Sequence, residues 1–104
     1  MKNKDSCEDY FYLINKMDNQ CKQIRKTISD NKKNIINKND KSICENILLY
    51  ISRIESMVIV VKKLFKENNP MSDISIHLKV SRALDLIDLV CIEQKKLSYY
   101  INSN

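Results

Sequence analysis

A chain of 104 residues is long enough for one core and too short for two. It contains no Gly, no Trp and a single Pro, which argues against turn-rich β architectures and removes every glycine-built loop that cradles a nucleotide phosphate. Its 18 Lys and Arg outnumber 13 Asp and Glu, a net charge of +5 whose placement along the chain decides what it can do.

The first nine residues carry Asp5, Glu8 and Asp9 where a secretion signal would need its apolar stretch. That predicts an intracellular chain: cytoplasmic, or inside a host cell if it is viral or leaves its own cell without a leader. Its four cysteines (Cys7, Cys21, Cys44 and Cys91) would then be thiols in a reducing compartment. Ala occurs once, at Ala83, although it is the best helix former, while Lys, Asn and Ile abound. Those three have AT-rich codons, so the composition reflects an AT-rich coding sequence and not helix propensity.

Three heptad-like apolar stripes cover the chain and predict an all-α, elongated antiparallel three-helix bundle spanning residues 1–104 as a single domain. The first runs Cys7, Tyr10, Ile14, Met17, Cys21, Ile24 and Ile28, misses at Asn31 and resumes at Ile35. It predicts a helix near 6–37, opened by Ser6 and Asp9 as a capping pair. The second, Cys44, Ile47, Ile51, Ile54, Val58, Val61 and Phe65, is flanked by Ile43, Tyr50, Met57 and Leu64, and predicts a helix near 41–67 capped by Asp40 or Ser42. The third, Ile76, Val80, Ala83, Ile87, Val90, Leu97 and Ile101, with Leu84 and Cys91 widening it, predicts a helix near 70–102. Asn69 would cap this helix and Pro70 would occupy its first position. The alternation of Ile74, Ile76 and Leu78 is too short to outweigh the helical period. At 1.5 Å per residue the helices are roughly 40 to 50 Å long, so the bundle is a rod. The longest apolar runs, 47–51 and 57–61, are far short of the roughly 20 residues that span a bilayer, so no transmembrane segment is expected.

Chemistry-bearing patterns are sparse. Histidine occurs once, as His77, and no two cysteines have zinc-knuckle spacing, so no metal site, no cofactor site and no catalytic residues are assigned and the chain is read as a non-enzyme. The single catalytic pairing to test is a Cys21 thiol beside His77, which ideal antiparallel register places about one turn apart. Cys7 and Cys21 lie about 21 Å apart on one helix and cannot pair, whereas Cys44 and Cys91 come within a turn and form the one internal disulfide the geometry allows. In a reducing compartment all four are packed thiols.

Charge is concentrated. Residues 22–41 hold seven cations (Lys22, Arg25, Lys26, Lys32, Lys33, Lys38, Lys41) against Asp30 and Asp40; seven minus two gives +5, the net charge of the whole chain. Antiparallel packing brings Lys95 and Lys96, with Tyr99 and Tyr100, to the same end as Lys32, Lys33, Lys38 and Lys41. The basic end could hold phosphates of nucleic acid or an anionic surface, or be simply a solvated face. Apolar residues are also in excess. Residues 47–51 and 57–61 are apolar all round, and Leu86, Leu89 and Ile92 lie off the third stripe. Leu48, Ile59, Leu89 and Ile92 are therefore expected to line a surface covered by a protein partner or a second copy.

In general shape such a rod resembles cytoplasmic immunity proteins, secretion chaperones and viral host-interaction proteins, and shape alone does not fix function. The expectation is a helical protein-interaction module docking through the apolar sides of its second and third helices. The alternative is a nucleic-acid or anionic-surface binder using the basic end.

Overall fold

The computed structural model describes the backbone of residues 2–67, 69 and 71–102, and the side chains of residues 9–67, 69 and 71–97. Three helices follow in order: α1, Lys2–Asp30; α2, Lys38–Glu67; and α3, Ser72–Asn102. They pack as an all-α antiparallel bundle, α2 and α3 most extensively, in a rod of 51 × 19 × 19 Å. The described residues contain no strand, and Ile74, Ile76 and Leu78 are helical.

One continuous core runs along the rod. Every member of the second stripe from Cys44 to Val61 is buried, with Ile47, Ile51 and Ile54 at 0% exposure. From α1 come Ile14, Met17 and Cys21, and from α3 come Ile76, Val80, Ala83, Leu86, Val90 and Leu97. Leu86 departs from the expectation that it lies outside the core: α3 packs against two neighbours, so its buried arc takes in 86 as well as the half-buried Ile87. No helix among the described residues is long and apolar enough to cross a membrane.

The helix ends differ from the sequence expectation in ways that shape the molecule. α1 begins at Lys2, ahead of residue 6, and stops at Asp30, well before 37. The Ser6 side chain lies outside the described residues. At the other end both the backbone N–H and the side-chain amide of Asn31 donate to the Thr27 carbonyl, at 3.1 and 2.7 Å, so Asn31 caps the last turn itself. A single 3-10 turn, Lys32–Asn34, follows. Ile35 is indeed buried, at 8% exposure, but the folded-back connection puts it there, not a continuing helix.

α2 starts at Lys38. Its cap is neither Asp40 nor Ser42 but Asn37, whose side-chain oxygen accepts from the Asn39 N–H at 2.8 Å and whose carbonyl accepts from Lys41 N–H at 3.0 Å. Asp40 is buried in the first turn, where its charge suits the helix dipole, and its Oδ1 has no hydrogen-bond partner among the described residues. α3 starts at Ser72, two residues later than expected, so Asn69 closes the turn ahead of the helix and does not cap a helix beginning at 70: its side-chain oxygen accepts from Met71 N–H at 3.0 Å and its carbonyl from Ser72 N–H at 2.8 Å. Pro70 lies outside the described residues.

Candidate functional site

The polar contacts of α1 fix what is open and what is closed on its side of the rod. Arg25 reaches across to α2, its Nε 3.1 Å from both carboxylate oxygens of Glu55 and its Nη2 2.6 Å from Oε1, with a further bond of 3.0 Å to the Ser52 hydroxyl. This two-pronged geometry matches a guanidinium to a carboxylate, and the bond to Glu55 is the main reason the Arg25 proton is held more tightly than usual. Asp18 bridges Lys22 at 3.4 Å and Lys62 at 3.7 Å. Phe11 meets Phe65 edge to face with ring centres 5.5 Å apart. The residue pairs 11 with 65, 18 with 62 and 25 with 55 all follow the antiparallel register expected of α1 and α2.

Beyond Arg25 the two helices enclose a groove of about 650 Å³. Arg25, Ile28 and Ser29 form its α1 wall, and Lys41, Cys44, Glu45 and Leu48 its α2 wall. Lys32, Ile35 and Ile36 close the end where the chain crosses over. Both walls repeat at helical spacing, so each presents one face to the gap. The floor is Ile28, buried Ile35, buried Cys44 and half-buried Leu48, while Ile36 stands at the mouth with 77% of its surface exposed. Because α1 ends at Asp30, one turn of helix that would have filled this space is missing, and the groove is the result.

The predicted partner-contact residues are not gathered at one place. Leu48 lies in the groove, and Ile59 on α2 is exposed at 67% but does not line it. Leu89 and Ile92, exposed at 42% and 54%, belong to α3. The basic residues divide likewise. Lys32, Lys33, Lys38, Lys41, Lys95 and Lys96 are all exposed, but only Lys32 and Lys41 border the groove. Lys96 pairs with Glu93 at 3.5 Å. The side chains of Tyr99 and Tyr100 lie outside the described residues.

Cys21, Cys44 and Cys91 are free thiols, and Cys7 lies outside the described side chains. Cys44 and Cys91, the pair expected to bridge if any internal disulfide formed, are both thiols here; Cys44 is buried as expected, whereas Cys91 is exposed and not the packed core residue that the third stripe implied. Burial pushes the Cys21 thiol from its ordinary 9.0 up to about 11, with the charges of Glu55 and Asp18 adding to the shift and Arg25 opposing it. The Cys44 thiol is also raised, first by burial and then by Asp40. Both are poor nucleophiles at neutral pH.

The proximity of Cys21 to His77 fails on position. His77 hydrogen-bonds through Nδ1 to the Tyr10 hydroxyl, with the rings 5.7 Å apart. Tyr10 is about three turns of α1, roughly 16 Å, from Cys21. Among the described residues no three His, Cys, Asp or Glu side chains gather as a metal site would require.

Comparison with protein-family models, with curated proteins and with solved structures found no match. Sequence reasoning missed the groove because it carried the first helix through Ile35 and Ile36, so the space that these two residues border with Ile28 of α1 and Glu45 of α2 was not foreseen. The signal was present in Asn31, Asn34 and Asn37, three side chains that compete with helical hydrogen bonds within one short stretch.

Proposed function

We propose that this protein is a non-catalytic helical interaction module that docks a partner polypeptide on the outside of a closed core. The observation that carries the reading is the number of large apolar side chains left in solvent although the core is already filled. Ile59, Ile92, Ile74, Leu78 and Ile36 are each more than half exposed, and Leu89 is exposed at 42%. Scattered apolar residues are normal on any surface, but so many long aliphatic side chains on one small rod fit a surface that another molecule covers. A partner of different sequence and a second copy of the chain both satisfy that chemistry.

Paired substitutions test the reading. Replacing Leu48 and Ile59 by Lys, or Leu89 and Ile92 by Lys, should leave the far-ultraviolet circular dichroism spectrum helical, because none of the four is fully buried. At least one pair should abolish association, measured as a fall in mass by light scattering or as loss of a captured polypeptide. Reversing Lys95 and Lys96 on α3 to Glu should change that association little, since exposed charges contribute modestly and are screened. Association lost on this charge reversal and steeply weakened by salt, but kept in both apolar pairs, would instead establish phosphate binding at the basic end.

A further inference from the structure

We infer that the groove between α1 and α2 receives an acidic amphipathic helix of the partner polypeptide, an inference that rests on the interaction-module reading and names its site and ligand class. Three features of the groove converge on that occupant.

The first is shape. The groove lies between two helices and follows α2 from Lys41 to Leu48, roughly 10 Å or two turns. A partner helix laid along it would present apolar anchors at i, i+4 and i+7 to Ile28, Ile35, Cys44 and Leu48. The described residues offer no sheet edge for an extended peptide to join.

The second is charge. Arg25 is engaged by Glu55, so the groove's cations open to a ligand are Lys32 and Lys41, neither of which has an ion-pair partner among the described residues. Lys26, Lys33 and Lys38 are exposed on the same stretch of chain, which carries the protein's whole net charge of +5. A groove with an apolar floor and a cationic border complements a helix with an apolar stripe flanked by Glu and Asp.

The third is the set of occupants this chemistry disfavours. By size alone, about 650 Å³ would take a fatty acid or another small anionic amphiphile. One carboxylate, however, uses one cation, while the positive charge here extends along the chain beyond the groove. Single-stranded nucleic acid would satisfy the lysines, but its bases stack on aromatic rings and the described residues of the groove lining include none.

The test uses the full chain and a fluorescein-labelled peptide of about 15 residues, long enough to be helical on docking, with Leu at i, i+4 and i+7 and Glu on both flanks. A counterpart with Lys flanks, a scrambled peptide, oleate and a single-stranded oligonucleotide are measured beside it. The acidic peptide should bind at least tenfold tighter than the Lys-flanked one. In NMR spectra it should shift the amides of Ile28, Cys44 and Leu48. Lys32→Glu with Lys41→Glu should weaken it about tenfold, and Glu45→Gln, which removes the one acid on the groove wall, should tighten it severalfold. Lys63→Glu at the far end of α2 should do neither.

Equal binding of acidic and basic peptides, insensitivity to the Lys32 and Lys41 reversal, or tighter binding of oleate or the oligonucleotide at these residues would overturn the inference. Should the acidic peptide fail while association through Ile59, Leu89 or Ile92 persists, the groove assignment is lost and the module reading stands. Failure of both removes the reading itself.

Discussion

The seam between α2 and α3 and the seam that holds α1 are made of different materials. Along α2 the apolar stripe Ile43, Cys44, Ile47, Ile51, Ile54, Val58 and Val61 is buried throughout, and α3, which packs most extensively on α2, adds Ile76, Val80, Ala83, Leu86, Val90 and Leu97 to the same core. Among its described side chains, residues 9–30, α1 contributes Ile14, Met17 and Cys21 as buried apolar residues. The rest of its grip is polar or half-exposed: Arg25 on Glu55 and Ser52, Asp18 on Lys62, and Phe11 on Phe65. Apolar burial works along its whole length and tolerates no gap, whereas ion pairs act at points and leave space between them. The groove sits in such a space, past the last clamp. The helix held at points is thus the one whose early end opens the groove, and the helix pair sealed along its length is the frame that supplies the groove's other wall.

The largest expected effect comes from breaking the sealed pair. Val58→Asp puts an unpaired carboxylate into the core at a cost of several kcal/mol, against a total stability of about 5 to 15 kcal/mol, and should unfold the whole chain. A folded variant with a normal thermal melt would mean that the α2 seam is not closed. Less drastically, Ile54→Ala should cost about 2 to 5 kcal/mol by cavity formation, while Ile24→Ala, at a half-buried α1 position, should cost less than half as much in the same urea titration. Similar losses at the two sites would erase the distinction between the seams.

Cys21 sharpens the comparison through pH. Its thiol is raised from 9.0 to about 11 in the folded chain, so folded and unfolded forms are equally protonated below pH 9. Between pH 9 and 11 only the unfolded form gains by ionising, and stability should fall by on the order of 2 kcal/mol. Urea titrations across this range should show that fall in the parent and not in Cys21→Ala, once the other titrating groups common to both are subtracted. Smallest of all is the clamp. Arg25→Ala should cost roughly 1 kcal/mol, because its guanidinium is partly exposed, and half a molar of salt should reduce the difference. A loss as large as that of Ile54→Ala would make the clamp, not the apolar seam, the main support.

How much of this could be read from the sequence follows the same division. The α2 stripe was legible residue by residue, because strict spacing of Ile and Val at 3.5 residues can be satisfied only by a helix buried on one face. The register of α1 against α2 followed from short connections alone. The end of α1 did not, since Ile35 continues the apolar spacing while the Asn side chains around it end the helix. Periodicity reports which residues seek the core, not which backbone path takes them there. Leu86 was misplaced for a related reason: a helix touching two neighbours buries a wider arc than one stripe describes. The groove was not legible because it exists only as the space left when the two paths differ. The exposed Ile59, Leu89 and Ile92 did lie outside the core as their positions implied.

Native-state hydrogen exchange followed by NMR compares the two seams most directly, amide by amide, in the unmodified protein. The structure predicts that buried amides of α2 and α3, such as those of Ile51, Ile54 and Val80, exchange only through global unfolding. Amides from Ile24 to Ser29 in α1 should exchange through a smaller opening that urea barely accelerates. If the α1 amides instead match α2 and α3 in protection and in urea dependence, the rod opens as a single unit and the contrast between a sealed pair and a clamped helix is wrong.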